Sequence, residues 1–324
     1  MNTIKKRPIK YFFIAVILLM VLIYVLPRIP DMLKTTYTLE YGELKLTDEG
    51  EACFVRNEKV YIAPKSGKPN YYIKEGDLVR RNTRVMDFSE YSEGEGSDKY
   101  LGITEQLGKR AVKSSDFLTQ DVGTVSYFAD GHEGEINSGT LDKITYEKFK
   151  ELKGSKTLEL KRDEVYNGEP AFKVVDRKGW YLVVFTDKES IRRYEKGQTV
   201  QAEFEDGQVD AIVKSVKETD GRLRVVLEVE NYYENYAKKR CDDVKITTYD
   251  GKGLLISNAS ITKVKNREGV YVRNKTGEYD FVPVQVYLTD GETSLVANKI
   301  FYDEKGKMIE TVEIYDEILK NPEQ

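Results

Sequence analysis

At 324 residues the chain is long enough for two or three domains of ordinary size. Its 51 Lys and Arg against 55 Asp and Glu leave a net charge of -4, which gives no basic field for a nucleic-acid reader and sets nucleic acid aside as a partner. Twenty-three Tyr beside one Trp and one His suit β-strands with a wet outer face and an aromatic inner face, and argue against disorder.

The first element is the apolar run 11–26, YFFIAVILLMVLIYVL, whose 16 residues at about 1.5 Å rise cover most of a hydrocarbon core of about 30 Å. Lys10 and Arg28 can snorkel, so a transmembrane helix is predicted over residues 11–27. Lys5, Lys6, Arg7 and Lys10 lie before it, which places the tail 1–10 in the cytoplasm and the rest of the chain outside the cell, as a single-pass membrane protein. A cleaved signal peptide would end in small residues, and VLPRIPDML offers no such site.

Beyond residue 37 the hydrophobic pattern is mainly period two, in short runs such as 60–62, 180–185, 225–229 and 282–287, which predict strands. Asp-Gly pairs at 130, 206, 220, 250 and 290 supply the positive φ of tight turns, so a string of hairpins is expected. Two stretches break the rhythm. Residues 89–119 are rich in Glu, Gly, Ser and Lys, with helical spacing only in YLGITEQLGKRAV, and residues 141–154 set Ile144, Phe149 and Leu152 on one face of a short helix that would cover a sheet. Cys53 and Cys241 are too few for a disulfide scaffold or a Cys-rich metal site; they are either two unpaired thiols or one long-range disulfide.

An internal repeat joins the two sides of these breaks. Residues 77–85 stand against 163–171 at an offset of 86, with Asn82-Thr83-Arg84 opposite Gly168-Glu169-Pro170 at a turn. Upstream of each copy a glycine, Gly67 or Gly123, enters a strand start where close backbone approach is wanted. Two such half-units predict a pseudo-twofold sandwich. Catalytic patterns are missing by comparison: His132 has no second His or Cys pair beside it, and neither Ser92-Glu93-Gly94 nor Gly67-Lys68 has the strand and helix of a nucleophile elbow or phosphate loop. No catalytic, cofactor or metal residue is assigned, and a binding protein is expected in place of an enzyme.

Ser66-Gly67 followed by Tyr72-Ile73-Lys74-Glu75-Gly76-Asp77-Leu78-Val79 resembles the first lipoyl-like half of the HlyD-type membrane fusion proteins, adaptor subunits of bacterial efflux and secretion systems, in a short form typical of Gram-positive relatives. DVGTVSYFADGHE at 121–133 is similar to the opening of the second half, and NGEPAFKVVD at 167–176 to its close. GLLISNASI at 253–261 is similar to the family's G-L-x-I-P-x-S-A-I, but Ser257 stands where Pro is preferred and the small pair is Ala259-Ser260.

The resemblance implies a mostly β fold. After the transmembrane helix come a linker and N-terminal strands of a membrane-proximal domain (28–60), a lipoyl-like barrel-sandwich hybrid (61–178) in halves 61–88 and 120–178 around the insertion 89–119, a β-barrel (179–250) and a membrane-proximal β domain (251–324). Gly67, Gly76, Asp77, Gly123, Asp130, Gly131, Gly168 and Gly253 are its structural motif residues. The insertion is where relatives carry a long helical hairpin. If fully helical it would give two arms of about 20 Å, too short to cross a periplasm. The implied partners are an inner-membrane transporter, ABC-type first, the lipid around the helix, and further copies of the chain. The alternative is a structural cell-envelope or division protein with the same fold. No lipoate or biotin attachment tip occurs, so no cofactor is expected.

Overall fold

The computed structural model describes residues 13, 14, 16–20, 35–233 and 235–322. Residues 13, 14 and 16–20 are helical and exposed, and the remainder of the predicted membrane span lies outside the described residues. Among the described residues no helix is long and apolar enough to cross a membrane. The chain forms two compact units, residues 1–44 with 250–324, and residues 45–249.

Strands β1 (Thr36–Thr38), β2 (Tyr41–Val55), β3 (Glu58–Ile62), β4 (Gly67–Tyr71), β5 (Leu78–Val79) and β6 (Met86–Tyr91) lead to helix α1 (Asp98–Leu107) and the short strand β7 (Val112–Lys113). Strands β8 (Gly123–Ser126) and β9 (Phe128–Ala129) precede helix α2 (Tyr146–Gly154), β10 (Leu158–Glu159) and β11 (Pro170–Val175). Within residues 45–249 the sheet β5-β8-β11-β3-β7 and the strand pair β4-β6 enclose the sandwich core of Val60, Val79, Val85, Val125, Phe172 and their neighbours.

The repeat is visible in the hydrogen bonds. Val79 pairs with Gly123, and in the other copy Val165 pairs with Gly67. Asn82 N–H donates to Thr119 O at 2.7 Å while Thr119 N–H donates to Thr83 O; equivalently, Gly168 N–H donates to Ala63 O at 2.9 Å and Ala63 N–H to Glu169 O. Each half therefore completes the other. Asn82 and Gly168 share a left-handed backbone, φ 64° and 85°. A Cβ at Gly67 would press into the Glu90 carbonyl and one at Gly123 into the Val175 carbonyl, so in both copies only glycine lets the backbones meet. Gly67→Ala and Gly123→Ala are each expected to cost about 1–3 kcal/mol in urea unfolding, as overpacking does. Gly102→Ala, inside α1 with open space around the added methyl, is expected to leave stability unchanged or raise it by about 0.5–1 kcal/mol.

Strands β12 (Trp180–Asp187), β13 (Thr199–Phe204), β14 (Gly207–Thr219) and β15 (Arg222–Val229) form a barrel with residues 45–55 of β2 and 241–249 of β16 (Cys241–Ser257). The order β13-β14-β15-β12-β2-β16 closes where β13 meets β16. Residues 45–55, assigned from sequence to the membrane-proximal domain, are thus a barrel strand. In the core Phe54 stacks against Trp180 at 5.5 Å and meets a tilted Phe204 at 5.3 Å, and the Trp180 indole N–H donates to Asn231 O at 3.0 Å. Helix α2 covers the outer face of β2 and β12 by burying Phe149 and Leu152 against Val55, Val183 and Phe185, as their spacing predicted; Ile144, expected on the same helical face, packs there too but lies before the helix in extended backbone.

The other unit contains β17 (Thr262–Val264), β18 (Arg267–Arg273), β19 (Tyr279–Pro283), β20 (Val286–Thr289), β21 (Thr293–Val296), β22 (Ile300–Tyr302), β23 (Met308–Glu310) and β24 (Glu317–Leu319). β1-β24-β18-β17 form one sheet, with β19 also on β18, and residues 254–257 of β16 pair with β21. Its core is Leu39, Leu254, Ile256, Val270, Val312 and Ile318.

The Asp-Gly pairs divide. Those at 220 and 290 lie in the turns β14-β15 and β20-β21, and that at 206 straddles the end of the β13-β14 turn with Gly207 opening β14, but Asp250-Gly251 runs straight through β16 and Asp130-Gly131 closes no hairpin. The run 282–287 is two strands, broken at Val284-Gln285, whose N–H of Val284 and carbonyl of Gln285 bond instead to Glu268 and Ala297.

Candidate functional site

Two features of the 45–249 unit bear on what the chain can do. The first lies where the insertion leaves the sandwich. Helix α1 is 10 residues, about 15 Å long, and lies back on the sandwich by burying Ile103 and Leu107. Glu169 holds its start: one carboxylate oxygen accepts from Ser97 N–H at 2.7 Å, the other from Arg162 at 2.7 Å and from Tyr166 N–H at 2.9 Å. The Thr104 hydroxyl donates to Gly168 O at 2.8 Å, and the Arg162 guanidinium stacks 3.9 Å from the Tyr100 ring. Residues 89–119 therefore present no projecting helical arm.

The second is a buried cluster of six charges between sandwich and barrel. Glu58 at the start of β3 receives Arg56 at 2.7 Å, Arg240 at 2.9 Å and Lys173 of β11 at 2.6 Å. Arg240, which precedes β16, grips both oxygens of Asp130 at 2.8 and 3.2 Å, a bidentate pair. Lys173 also lies 3.5 Å from Glu133. These six side chains are at most 2% exposed. Three cations face three carboxylates, so the cluster is formally neutral, the condition under which buried charge is tolerable. Backbone groups complete it: Arg56 donates to Lys239 O at 2.7 Å, and Glu133 accepts from the N–H groups of Asp130 and Gly131 at 2.8 and 2.9 Å.

Burial opposes ionisation of Asp130 and Glu58, but the neighbouring cations outweigh it: Arg240 with Lys173 and Arg56 holds Asp130 well below the carboxylate range, and Arg240, Arg56 and Lys173 hold Glu58 down. Glu133 is pushed up by burial and then by Asp130. The cluster links residues of the sandwich to Arg56 and Arg240 beside the barrel strands, and its charges are paired within the fold.

The sequence-selected residues are distributed around these features. Gly76, at φ 84°, turns the chain so that its N–H reaches Val125 O at 2.9 Å, while Asp77 accepts from Lys74 N–H through its carboxylate at 3.0 Å. Gly131, at φ 86°, aims its N–H at Glu133, and a Cβ there would collide with Gln106. Asp130 is the one predicted residue inside the charge cluster. Gly253 approaches Leu295 in the other unit. His132 lies 3.4 Å from Glu135. Arg56, Glu58, Glu133, Lys173 and Arg240 were not selected. The readable signal was a lone Lys173 inside PAFKVV, a strand buried at every position.

Comparison with known proteins agrees with this architecture. Residues 58–176 match the family described as RND related, barrel-sandwich hybrid domain, and residues 180–250 that described as RND related, beta-barrel domain. No curated protein matches the chain significantly. Among solved structures, MacA from Actinobacillus actinomycetemcomitans is 11% identical over 89% of this chain and 99% of that one, with a TM-score of 0.42. ZneB from Cupriavidus metallidurans is 9% identical over 90% and 93%, with a TM-score of 0.30. The membrane fusion protein Spr0693 from Streptococcus pneumoniae R6 is 12% identical over 62% and 97%, with a TM-score of 0.28. The two family matches adjoin and together span more than half of the chain, its sandwich and its barrel: the chain belongs to the HlyD-like family of membrane fusion proteins.

Proposed function

We propose that the chain is an adaptor subunit that works by binding: one N-terminal helix anchors it in the cell membrane, and the exported domains hold it against an inner-membrane transporter of efflux or secretion, ABC-type first. The observation that carries this reading is the half-for-half pairing of the sandwich, with Gly67 on Val165 and Gly123 on Val79, joined through a buried ionic cluster to a closed barrel. Such a frame offers surfaces and an internal ionic link, which suits a docking part. With α1 laid on the sandwich, no arm reaches toward a second membrane, and a surface protein of a single-membrane bacterium fits best. Several copies around one transporter would follow from the family membership.

Mild cross-linking in native membranes followed by purification is expected to recover an inner-membrane transporter with this chain. Recovery of the chain alone, with a deletion strain altered in cell shape and unaltered in export or drug susceptibility, would replace the adaptor reading with that of a structural envelope protein.

A further inference from the structure

The β17-β18 hairpin carries three exposed cations, Lys263, Lys265 and Arg267, at and beside its turn. Its register runs Thr262 to Gly269, Lys263 to Glu268 and Val264 to Arg267, around a two-residue turn at Lys265 and Asn266 with φ 49° and 66°. Both central residues are left-handed, the geometry of the tight turn that continues strand twist, so the tip is stiff. Lys263, Lys265 and Arg267 are exposed, and among the described residues they make no ion pair; Glu268 is the single carboxylate on the hairpin.

The sheet fixes where this tip points. β1 and β18 are both antiparallel to β24, so they run in the same direction and begin at the same end. Thr36 is level with Leu319, and Val272 is level with Ile318. Arg267 therefore lies four residues, about 13 Å, beyond the level of Thr36 on the side from which the chain enters β1. Residues 27–34 separate the predicted membrane span from that entry, a reach of about 27 Å at full extension. The hairpin tip thus lies on the side from which the chain enters β1, and on the anchored topology the membrane surface is within the tether's length of that entry.

We infer that the β17-β18 hairpin docks on anionic lipid headgroups, with Lys263, Lys265 and Arg267 as the contacts, and so fixes the membrane-proximal unit upright on the bilayer. The inference rests on the anchored topology proposed above. Each surface cation near an anionic bilayer changes the docked ratio by about fivefold, so three together are worth on the order of 100-fold, and the effect decays within a Debye length.

The test uses the full-length chain in lipid nanodiscs of phosphatidylcholine, with or without phosphatidylglycerol, and follows backbone hydrogen exchange across residues 262–268. Exchange is expected to slow only where phosphatidylglycerol is present, and to return to the phosphatidylcholine value at high salt or in the triple variant Lys263→Gln, Lys265→Gln, Arg267→Gln. Exchange in β24 and β19 should be equal in all samples, which shows that the variant is folded. Equal exchange of the hairpin in both lipids, in a chain that stays in the disc, overturns the lipid contact alone. A chain that fails to enter the disc overturns the anchored topology and this inference with it.

Discussion

Glu58→Gln is expected to destabilise the 45–249 unit by about 3–5 kcal/mol. Three cations converge on this one carboxylate within 2.9 Å, and none has water to fall back on. Neutralising it leaves the cluster with an excess positive charge in a dry site, whereas breaking an exposed pair such as Lys252 with Glu43 should change little. Urea unfolding of both variants measures the contrast. The pH dependence has a definite sign. Asp130 and Glu58 are held below their ordinary values, so their stabilisation is complete above the unfolded carboxylate range of about 4 and disappears as pH falls toward the folded values. Glu133, pushed up, acts oppositely: it favours the fold while protonated and loses that contribution as pH rises through its folded value. With two depressed groups against one raised, the urea midpoint is expected to fall below about pH 4.5, and Asp130→Asn should flatten the fall. A wild-type profile that stays level into acid would show that the cluster does not titrate as a stabilising unit.

The same cluster marks the limit of what could be read in advance. The sandwich was legible because its determinants are local and repeated: the offset of 86 paired Asn82 with Gly168 and Val79 with Val165, and each copy had a strand-entry glycine upstream of it. Phe149 and Leu152 likewise announced the covering face of α2 by spacing alone. The charge cluster gathers residues from 56–58, 130–133, 173 and 240, four segments with no common period, and each acid or base reads singly as a solvated strand face. Only Lys173, alone in an apolar run, broke its local pattern. Residues 45–55 were misassigned for a related reason. A barrel strand and a membrane-proximal strand have the same alternation, and β2 reaches the barrel only by lying between β12 and β16, both of which come after the whole sandwich in sequence. Asp250-Gly251 shows the opposite error: a strong turn dipeptide was carried straight by the strands beside it.

Replacing both cysteines is expected to have a large effect as well. The structure resolves the alternatives left open for the thiols in favour of a bond between Cys53 and Cys241, on neighbouring barrel strands with Cα atoms 4.2 Å apart and a sequence separation of 188. The adjacent ladder bond, Phe54 N–H to Arg240 O at 2.8 Å, sets the register that brings them together. The bridge ties β2 to β16 around the entire inserted sandwich. A closed loop of this length reaches about 5 kcal/mol on the chain-entropy view, and native bridges commonly deliver about 2–4 kcal/mol. Cys53→Ala with Cys241→Ala should therefore lower unfolding stability by about 2–5 kcal/mol and leave the strands intact, because Cys53 also packs among Val183, Ile144 and Phe149, where alanine is tolerated. Thiol titration of the denatured, unreduced protein supplies the decisive reading. Bonds of this kind persist in oxidising compartments and not in a reduced cytosol, so absence of free thiols accords with the proposed extracytoplasmic face of these domains. Two free thiols per chain, together with an unchanged midpoint in the double variant, would remove the bridge and its support for that face at once.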